Sequence, residues 1–183
     1  MRPDLIGVDE VGTGAWAGPF VVSAVRVPAD WVGPDGLRDS KKMSPLQRET
    51  CCRLLLRDAH VTFCVHQVWP KDIAASGQSA CWRDAVLRVV SLLGGHDPNT
   101  DVIVDGTHTP VGRCEPRADG KYHAVMAACV IGKVFRDHLM SKLAIAYPDY
   151  GFEQHKGYGT TQHADAIRTY GTSVVHRPYA LKL

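Results

Sequence analysis

The chain has 183 residues, the length of one ordinary domain, with 45% hydrophobic and 22% charged residues. This composition excludes disordered, collagen-like and membrane-spanning proteins, and no apolar run reaches the length of a bilayer-crossing helix. The net charge is only +2, which excludes a protein that coats nucleic acid through a strongly cationic surface and makes any basic patch local.

The amino-terminal half predicts three strands and two helices. Apolar runs at residues 5–8 and 20–27 are bounded by turn residues and predict two buried strands. Ser44, followed by a proline, predicts the start of a helix that continues to about residue 57. A third strand is predicted over residues 60–68, and then one helix from residue 70 or 71 to residue 93, where two glycines end it.

The carboxyl-terminal half predicts one further strand and two further helices. Residues 101–106 form a short apolar strand closed by Asp105 and a glycine. A helix is predicted from residue 121 to about 147, and a shorter one over residues 162–170. Strands followed by alternating strands and helices predict a single α/β domain over residues 1–183 with a mixed sheet.

Cysteine spacing and the first residues suggest where the protein works. The six cysteines form no C-x-x-C pair and have no histidine pair at zinc-finger spacing, so we expect no zinc site and reduced thiols. The amino terminus reaches acidic residues before any apolar stretch long enough for a signal peptide. We therefore expect a cytoplasmic protein with no membrane partner.

The glycine-rich stretch after the first strand resembles a dinucleotide-binding turn only superficially. A Rossmann turn requires a helix after its glycines, whereas Gly18 is followed by a proline and a strand. Asp9 and Glu10 would also place two negative charges beside a bound pyrophosphate. The sequence thus argues against a dinucleotide site.

Adjacent acids at the end of the first strand are suited to a cation. Asp9 and Glu10 are costly to keep ionised together unless a positive charge lies between them, and hard divalent ions prefer oxygen ligands. Asp105 ends a second apolar strand, and Asp137 lies on a predicted helix. If these elements converge, the four carboxylates would hold two divalent ions about 4 Å apart. The alternative, in which Asp9 caps a turn and Glu10 is solvated, stays open.

Several segments carry a resemblance to a known family. Two of them read GVDEVGTGAWAGP at residues 7–19 and DSKKMS at residues 39–44. Later ones read VIVDG at 102–106, ADGK at 118–121, KVFRD at 133–137 and YGFEQHKGYGT at 150–160, and His176-Arg177 is similar to a closing motif. In this order and spacing they resemble ribonuclease HII, the type 2 ribonuclease H, over nearly the whole chain except about residues 50–100.

The resemblance implies a fold, a reaction and a metal site. The fold is ribonuclease H-like, with a mixed five-stranded sheet flanked by helices and a carboxyl-terminal helical segment. The reaction is metal-dependent cleavage of RNA in RNA/DNA hybrids, or of ribonucleotides embedded in duplex DNA, leaving 3′-hydroxyl and 5′-phosphate ends. The implied catalytic residues, which are also the ligands of two Mg²⁺ or Mn²⁺ ions, are Asp9, Glu10, Asp105 and Asp137.

The resemblance also implies substrate-binding residues, with one departure. The family reads the 2′-hydroxyl through a short glycine motif whose middle residue is normally Arg or Lys, but here it is Thr13, so a phosphate contact is missing. The implied substrate-binding residues are Gly12, Thr13, Gly14, Lys41, Lys42, Lys121 and Tyr158. For Tyr158 a packed loop position remains the alternative, and for the lysine pair a solvated surface.

Three functions stay open at this point. The first is the two-metal enzyme, expected as a monomer, that cleaves both hybrids and embedded ribonucleotides. The second is a hybrid-cleaving nuclease without junction specificity. The third is a catalytically weak nucleic-acid-binding homologue, for which Thr13 is the motive. Whether Trp16 and Lys156 touch the substrate also stays open, although a core position is favoured for Trp16.

Overall fold

A mixed five-stranded sheet forms the centre of the computed structural model, which describes residues 4–181. Its strands are β1 (Asp4–Val11), β2 (Phe20–Pro28), β3 (Thr62–Val68), β4 (Thr100–Asp105) and β5 (Arg113–Glu115). Their order across the sheet is β3-β2-β1-β4-β5. The β1–β2 and β2–β3 pairs are antiparallel, whereas β1–β4 and β4–β5 are parallel, which confirms the predicted fold class.

Six α-helices surround this sheet within residues 4–181. They are α1 (Pro45–Leu55), α2 (Pro70–Ser76), α3 (Gln78–Leu92), α4 (His123–Ala146), α5 (Phe152–His155) and α6 (Thr161–Tyr170). The start of α1 is the predicted one, since the Ser44 hydroxyl accepts from the Gln47 backbone N–H at 3.2 Å and the Gln47 side chain accepts from the Ser44 N–H at 2.8 Å. This reciprocal pair satisfies backbone donors that the first helical turn leaves free.

The prediction of one helix from residue 70 or 71 to residue 93 is wrong. Two helices, α2 and α3, lie there and meet at Gly77, whose backbone has φ +81° and ψ 150°. Residues with a Cβ rarely adopt positive φ, so glycine at position 77 permits the backbone conformation that ends α2 there.

Helices cover both faces of the sheet and determine which way the strand side chains point. Helix α3 packs Val86 and Val89 against Ile6 and Val8 of β1. On the other face, α4 lies so close to β1 that a Cβ on Gly7 would stand 2.3 Å from backbone atoms of Ala124 and Val125. Odd-numbered residues of β1 therefore face α4, and even-numbered ones face α3.

Some sequence predictions concern properties beyond the sheet. The predicted domain includes residues 1–3 and 182–183, which lie outside the described residues, as does the first part of the segment considered for a signal peptide. All six cysteines are unpaired. No helix within residues 4–181 has both the length and the apolar character needed to cross a membrane.

Candidate active site

Asp9 and Glu10 lie within β1 rather than after it, because the strand continues to Val11. The side chains of Asp9 and Glu10 leave β1 towards different helices, since successive side chains of a strand point to opposite faces. Asp9 points towards α4, where it accepts a hydrogen bond from the Cys129 thiol. Glu10 points towards α3, where its Oε2 lies 3.4 Å from Nε1 of Trp82.

Asp105 joins these two acids from the neighbouring strand. It ends β4, which runs parallel to β1, and its Oδ1 accepts from the backbone N–H of Ala118 at 2.7 Å. Asp9, Glu10 and Asp105 line one cavity of about 330 Å³. Three of the four predicted acids thus converge at the carboxyl-terminal ends of the neighbouring strands β1 and β4.

The electrostatics of this edge favour a bound cation. Burial and, to a smaller extent, the negative charges of Glu10 and Asp105 raise the pKa of Asp9 to about 7, against hydrogen bonds that lower it. The pKa of Glu10 is also raised, again mainly by burial. Within residues 4–181 none of the three acids forms an ion pair of its own. Crowded carboxylates without a partner are the oxygen donors that Mg²⁺ and Mn²⁺ take.

Asp137 lies apart from the other three acids. It sits on α4, where its Oδ1 is 2.7 Å from Nζ of Lys133 and its Oδ2 is 3.9 Å from Nη2 of Arg48. It lines a neighbouring cavity of about 610 Å³, whose wall shares Arg48, Lys133 and Tyr158 with the cavity of the three acids. No three His, Cys, Asp or Glu side chains in the described part of the chain are arranged closely enough to hold a metal ion. The predicted set of four is therefore assembled only in part, with Asp137 engaged by Lys133.

The glycine loop between β1 and β2 forms another wall of the cavity of the three acids. Gly12, Thr13 and Gly14 line it together with Tyr158. Gly12 has φ +86°, a backbone conformation open to glycine but strained for residues with a Cβ. This loop and Tyr158 thus lie beside the three acids.

Two buried arginines hold the loop from beneath, and sequence reasoning assigned neither of them a role. Arg177 donates to the backbone carbonyls of Gly12, Thr13 and Gly18 at 2.7–3.0 Å. Arg136 donates to the Pro19 carbonyl at 2.9 Å, and its guanidinium lies 5.1 Å from the centre of the Tyr158 ring. Burial lowers the pKa of Arg177 to about 10, so it remains charged at neutral pH. The closing His176-Arg177 motif was the signal available in the sequence.

The predicted lysines are distributed more widely than the acids. Lys41 lines the cavity of the three acids and lies 3.3 Å from Oδ2 of Asp119. Lys42 is exposed in the same short 3₁₀ turn. Lys121 forms an ion pair with Glu115 and does not line the cavity. Of the three, only Lys41 is placed beside the acids.

The residues left open in the sequence also have defined positions. Trp16 is half-buried and packs against the buried cluster of the carboxyl-terminal segment. Lys156 donates from Nζ to the Ser141 hydroxyl at 2.8 Å and lines the cavity of Asp137.

A further cavity lies on the α3 side of the acids and was missed by sequence reasoning. It has a volume of about 320 Å³ and is lined by Glu10, Asp105, Trp82 and His108. The Trp82 and His108 rings pack with their centres 4.8 Å apart. No motif in the sequence marks these two residues, since they come from separate elements.

Comparisons with known proteins agree on one family. The ribonuclease HII family model matches residues 6–180. The curated ribonuclease HII of Nitratidesulfovibrio vulgaris is 36% identical, over 97% of this chain and 86% of the relative. Among solved structures, that of the PCNA:RNase HII complex from Archaeoglobus fulgidus superposes with a TM-score of 0.78 at 23% identity, covering 98% of this chain and 95% of that one. A Bst-RNase HIII in complex with Mn²⁺ superposes with a TM-score of 0.71 at 18% identity, covering 97% of this chain and 67% of that one.

Proposed function

Because the chain belongs to the ribonuclease HII family and is therefore a ribonuclease H, we propose that it cleaves the RNA strand of RNA/DNA hybrids and ribonucleotides embedded in duplex DNA, using divalent metal. The products are 3′-hydroxyl and 5′-phosphate ends. The proposal treats residues 1–183 as one catalytic domain that acts as a monomer.

The convergence of Asp9, Glu10 and Asp105 is the observation that carries this proposal. The three carboxylates line one cavity, and burial and mutual repulsion raise the pKa of Asp9 to about 7. A protein that only bound nucleic acid would gain nothing from negative charge beside a polyanion. This clustering favours the enzyme over the binding-only homologue.

The acids are held firmly enough to act as ligands. The Glu10 N–H donates to Oδ1 of Asp9 at 2.8 Å, and the Ala118 N–H donates to Oδ1 of Asp105 at 2.7 Å. The carboxylates of Asp9, Glu10 and Asp105 would hold the metal ions, and Asp137 would join after leaving Lys133. Two bound Mg²⁺ or Mn²⁺ ions would lower the pKa of the attacking water and stabilise the leaving 3′ oxygen.

The loop and its neighbours would hold the substrate strand. Backbone groups of Gly12, Thr13 and Gly14 lie on the cavity wall beside the acids, where the 2′-hydroxyl of a ribonucleotide would be read. Tyr158 borders the same cavity and would stack on the sugar or base next to the cleavage point. Lys41 would contact a phosphate, although its ion pair with Asp119 has to open first.

A cleavage assay tests the proposal and separates its alternatives. The substrates are a DNA duplex with one embedded ribonucleotide and an RNA/DNA hybrid, each supplied with Mg²⁺ or Mn²⁺. We expect cleavage of both, with preference for the embedded ribonucleotide. Equal cleavage would support the hybrid nuclease without junction specificity, and no cleavage of either substrate would support the binding-only homologue.

Single substitutions of the acids test the site itself. Asp9→Asn and Asp105→Asn should each lower kcat more than about 100-fold, beyond the usual loss for an outer partner of a metal site. Asp101→Asn is the matched control, because Asp101 lies on the same strand as Asp105 but is exposed and pairs with Arg113. An Asp105→Asn protein with wild-type activity would remove that residue from the site.

A further inference from the structure

We propose that Arg177 is a positioning residue that aims the backbone N–H groups of Thr13 and Gly14 at the ribose of the substrate. The inference rests on the proposed function and deepens it. It concerns how the protein distinguishes a ribonucleotide from a deoxyribonucleotide when the glycine motif has no cationic side chain.

The guanidinium of Arg177 is fully buried and grips the loop through carbonyl oxygens alone. Its Nη1 donates to the carbonyls of Gly12 at 2.9 Å and of Thr13 at 3.0 Å. Its Nε and Nη2 both donate to the carbonyl of Gly18, at 3.0 and 2.7 Å. One planar fork thus joins the beginning and the end of the loop, which a single ammonium group is poorly shaped to do.

The backbone of Arg177 is fixed as well, so the fork has a firm base. Its N–H donates to the Trp16 carbonyl at 2.7 Å. The Gly18 N–H donates to the Val175 carbonyl at 2.8 Å. The carboxyl-terminal segment therefore sets the position of the loop from both its side chain and its main chain.

Trans peptide geometry transmits this grip to the cavity. The C=O and N–H of a trans peptide point in opposite directions. Because Arg177 draws the carbonyls of Gly12 and Thr13 inward, the N–H groups of the same two peptides, on Thr13 and Gly14, point outward. Both residues line the cavity that contains Asp9 and Asp105.

The outward N–H groups have the chemistry to recognise a ribose. Within residues 4–181 no protein acceptor is found for the backbone N–H of Thr13 or Gly14. A 2′-hydroxyl oxygen accepts hydrogen bonds, and a deoxyribose has no such atom. Donors held in place give more discrimination than donors on a loose loop, because less order has to be created on binding.

Duplex binding by a cleavage-deficient protein tests this inference. The parent is Asp105→Asn, and fluorescence anisotropy in Mg²⁺ gives Kd for a duplex with one ribonucleotide and for the all-DNA duplex of the same sequence. The measured quantity is the Kd for the all-DNA duplex divided by the Kd for the duplex with one ribonucleotide. We expect Arg177→Lys, added to this parent, to reduce this ratio at least fivefold. The salt dependence should stay the same, since no phosphate contact is removed.

The matched control is Val89→Ala in the same parent. Val89 is fully buried on α3 and does not line the cavity of the three acids, so its truncation to alanine destabilises the protein without changing a residue of the cavity wall. It should keep the parent's ratio of Kd values. An equal loss of the ratio in Val89→Ala would assign the effect of Arg177→Lys to general loosening and overturn the inference.

A second variant keeps the test decisive if Arg177→Lys does not fold. Gly14→Pro removes one of the two N–H groups, leaves Arg177 in place, and adds a Cβ where no protein atom lies within 4 Å. It should also reduce the ratio, and an unchanged ratio would overturn the inference. If the wild type cleaves neither substrate, the proposed function fails together with the inference. If the wild type cleaves both substrates and either Arg177→Lys or Gly14→Pro keeps the parent's ratio of Kd values, the inference alone fails.

Discussion

Three buried histidines beneath the Tyr158 segment should make the protein sensitive to mild acid. The Ser173 N–H donates to Nδ1 of His176 at 2.9 Å, so His176 carries its proton on Nε2 and donates to Nε2 of His163 at 3.1 Å. His163 then carries its proton on Nδ1 and donates to the Tyr158 carbonyl at 3.0 Å. Both rings are neutral in this series of hydrogen bonds. A proton added to Nε2 of His163 would face the N–H donor at Nε2 of His176.

The size of the effect follows from His163. Burial, together with the neighbouring His155 and His176, lowers the pKa of His163 to about 4 from an ordinary value of 6.5, against the hydrogen bond to the Tyr158 carbonyl, which raises it. Between about pH 6.5 and pH 4, His163 therefore binds a proton in the unfolded chain but stays neutral in the folded protein. Stability is complete above about pH 6.5 and is lost as the pH falls towards 4. Linkage gives a loss of about 2 kcal/mol between about pH 7.5 and pH 5 from this one group.

The assay compares wild type with His163→Gln, which offers a donor and an acceptor but does not titrate. Urea unfolding of both proteins at about pH 7.5 and pH 5 gives the difference in unfolding free energy at each pH. Other groups titrate alike in the two proteins, so the change in that difference isolates His163. The wild type should lose about 2 kcal/mol more than the variant. Equal losses of unfolding free energy in the two proteins would refute the proposal that His163 is held neutral by its hydrogen bonds.

Three further predictions concern the sheet, the loop and the metal site. Gly7→Ala should lower the free energy of unfolding by about 2 kcal/mol or more, measured in urea, because the new Cβ would meet the backbone of Ala124; an unchanged value would contradict that close approach. Thr13→Arg should steepen the salt dependence of duplex binding by about one unit of slope, and an unchanged slope would show that position 13 does not face a phosphate. Lys133→Met should tighten Mn²⁺ binding about twofold in calorimetry without substrate, because Lys133 pairs with Asp137 at 2.7 Å; weaker binding would contradict this competition.

Local chemistry made most of the elements predictable. The cap at Ser44 and the apolar run of β2 are decided by neighbouring residues, so sequence reasoning found them. The break at Gly77 was missed because the pattern on both sides is helical, and only the positive φ separates α2 from α3. Strand β5 has three residues, none of them fully buried, and carries no alternating pattern long enough to recognise.

The site was predictable in its residues and less so in its geometry. The order of motifs identified Asp9 and Glu10, but the strand had to be known to reach Val11 before their opposite directions could be derived. The pairing of Asp137 with Lys133 follows from helical spacing. The local sequence does not determine whether the Asp137 carboxylate pairs with Lys133 or joins the other three acids. Such choices depend on tertiary distances.

Two buried arginines place positive charge beneath the glycine loop of a chain whose net charge is only +2. Neither Arg136 nor Arg177 forms an ion pair among the residues that the structure describes, and both guanidinium groups donate to backbone carbonyl oxygens. Their full charge therefore lies directly beneath the glycine loop, in surroundings that screen it less than water does. These two charges remain beneath the loop although Thr13 contributes none. Under the proposed function, the missing cation of the motif removes a contact with one phosphate and leaves these two buried charges in place.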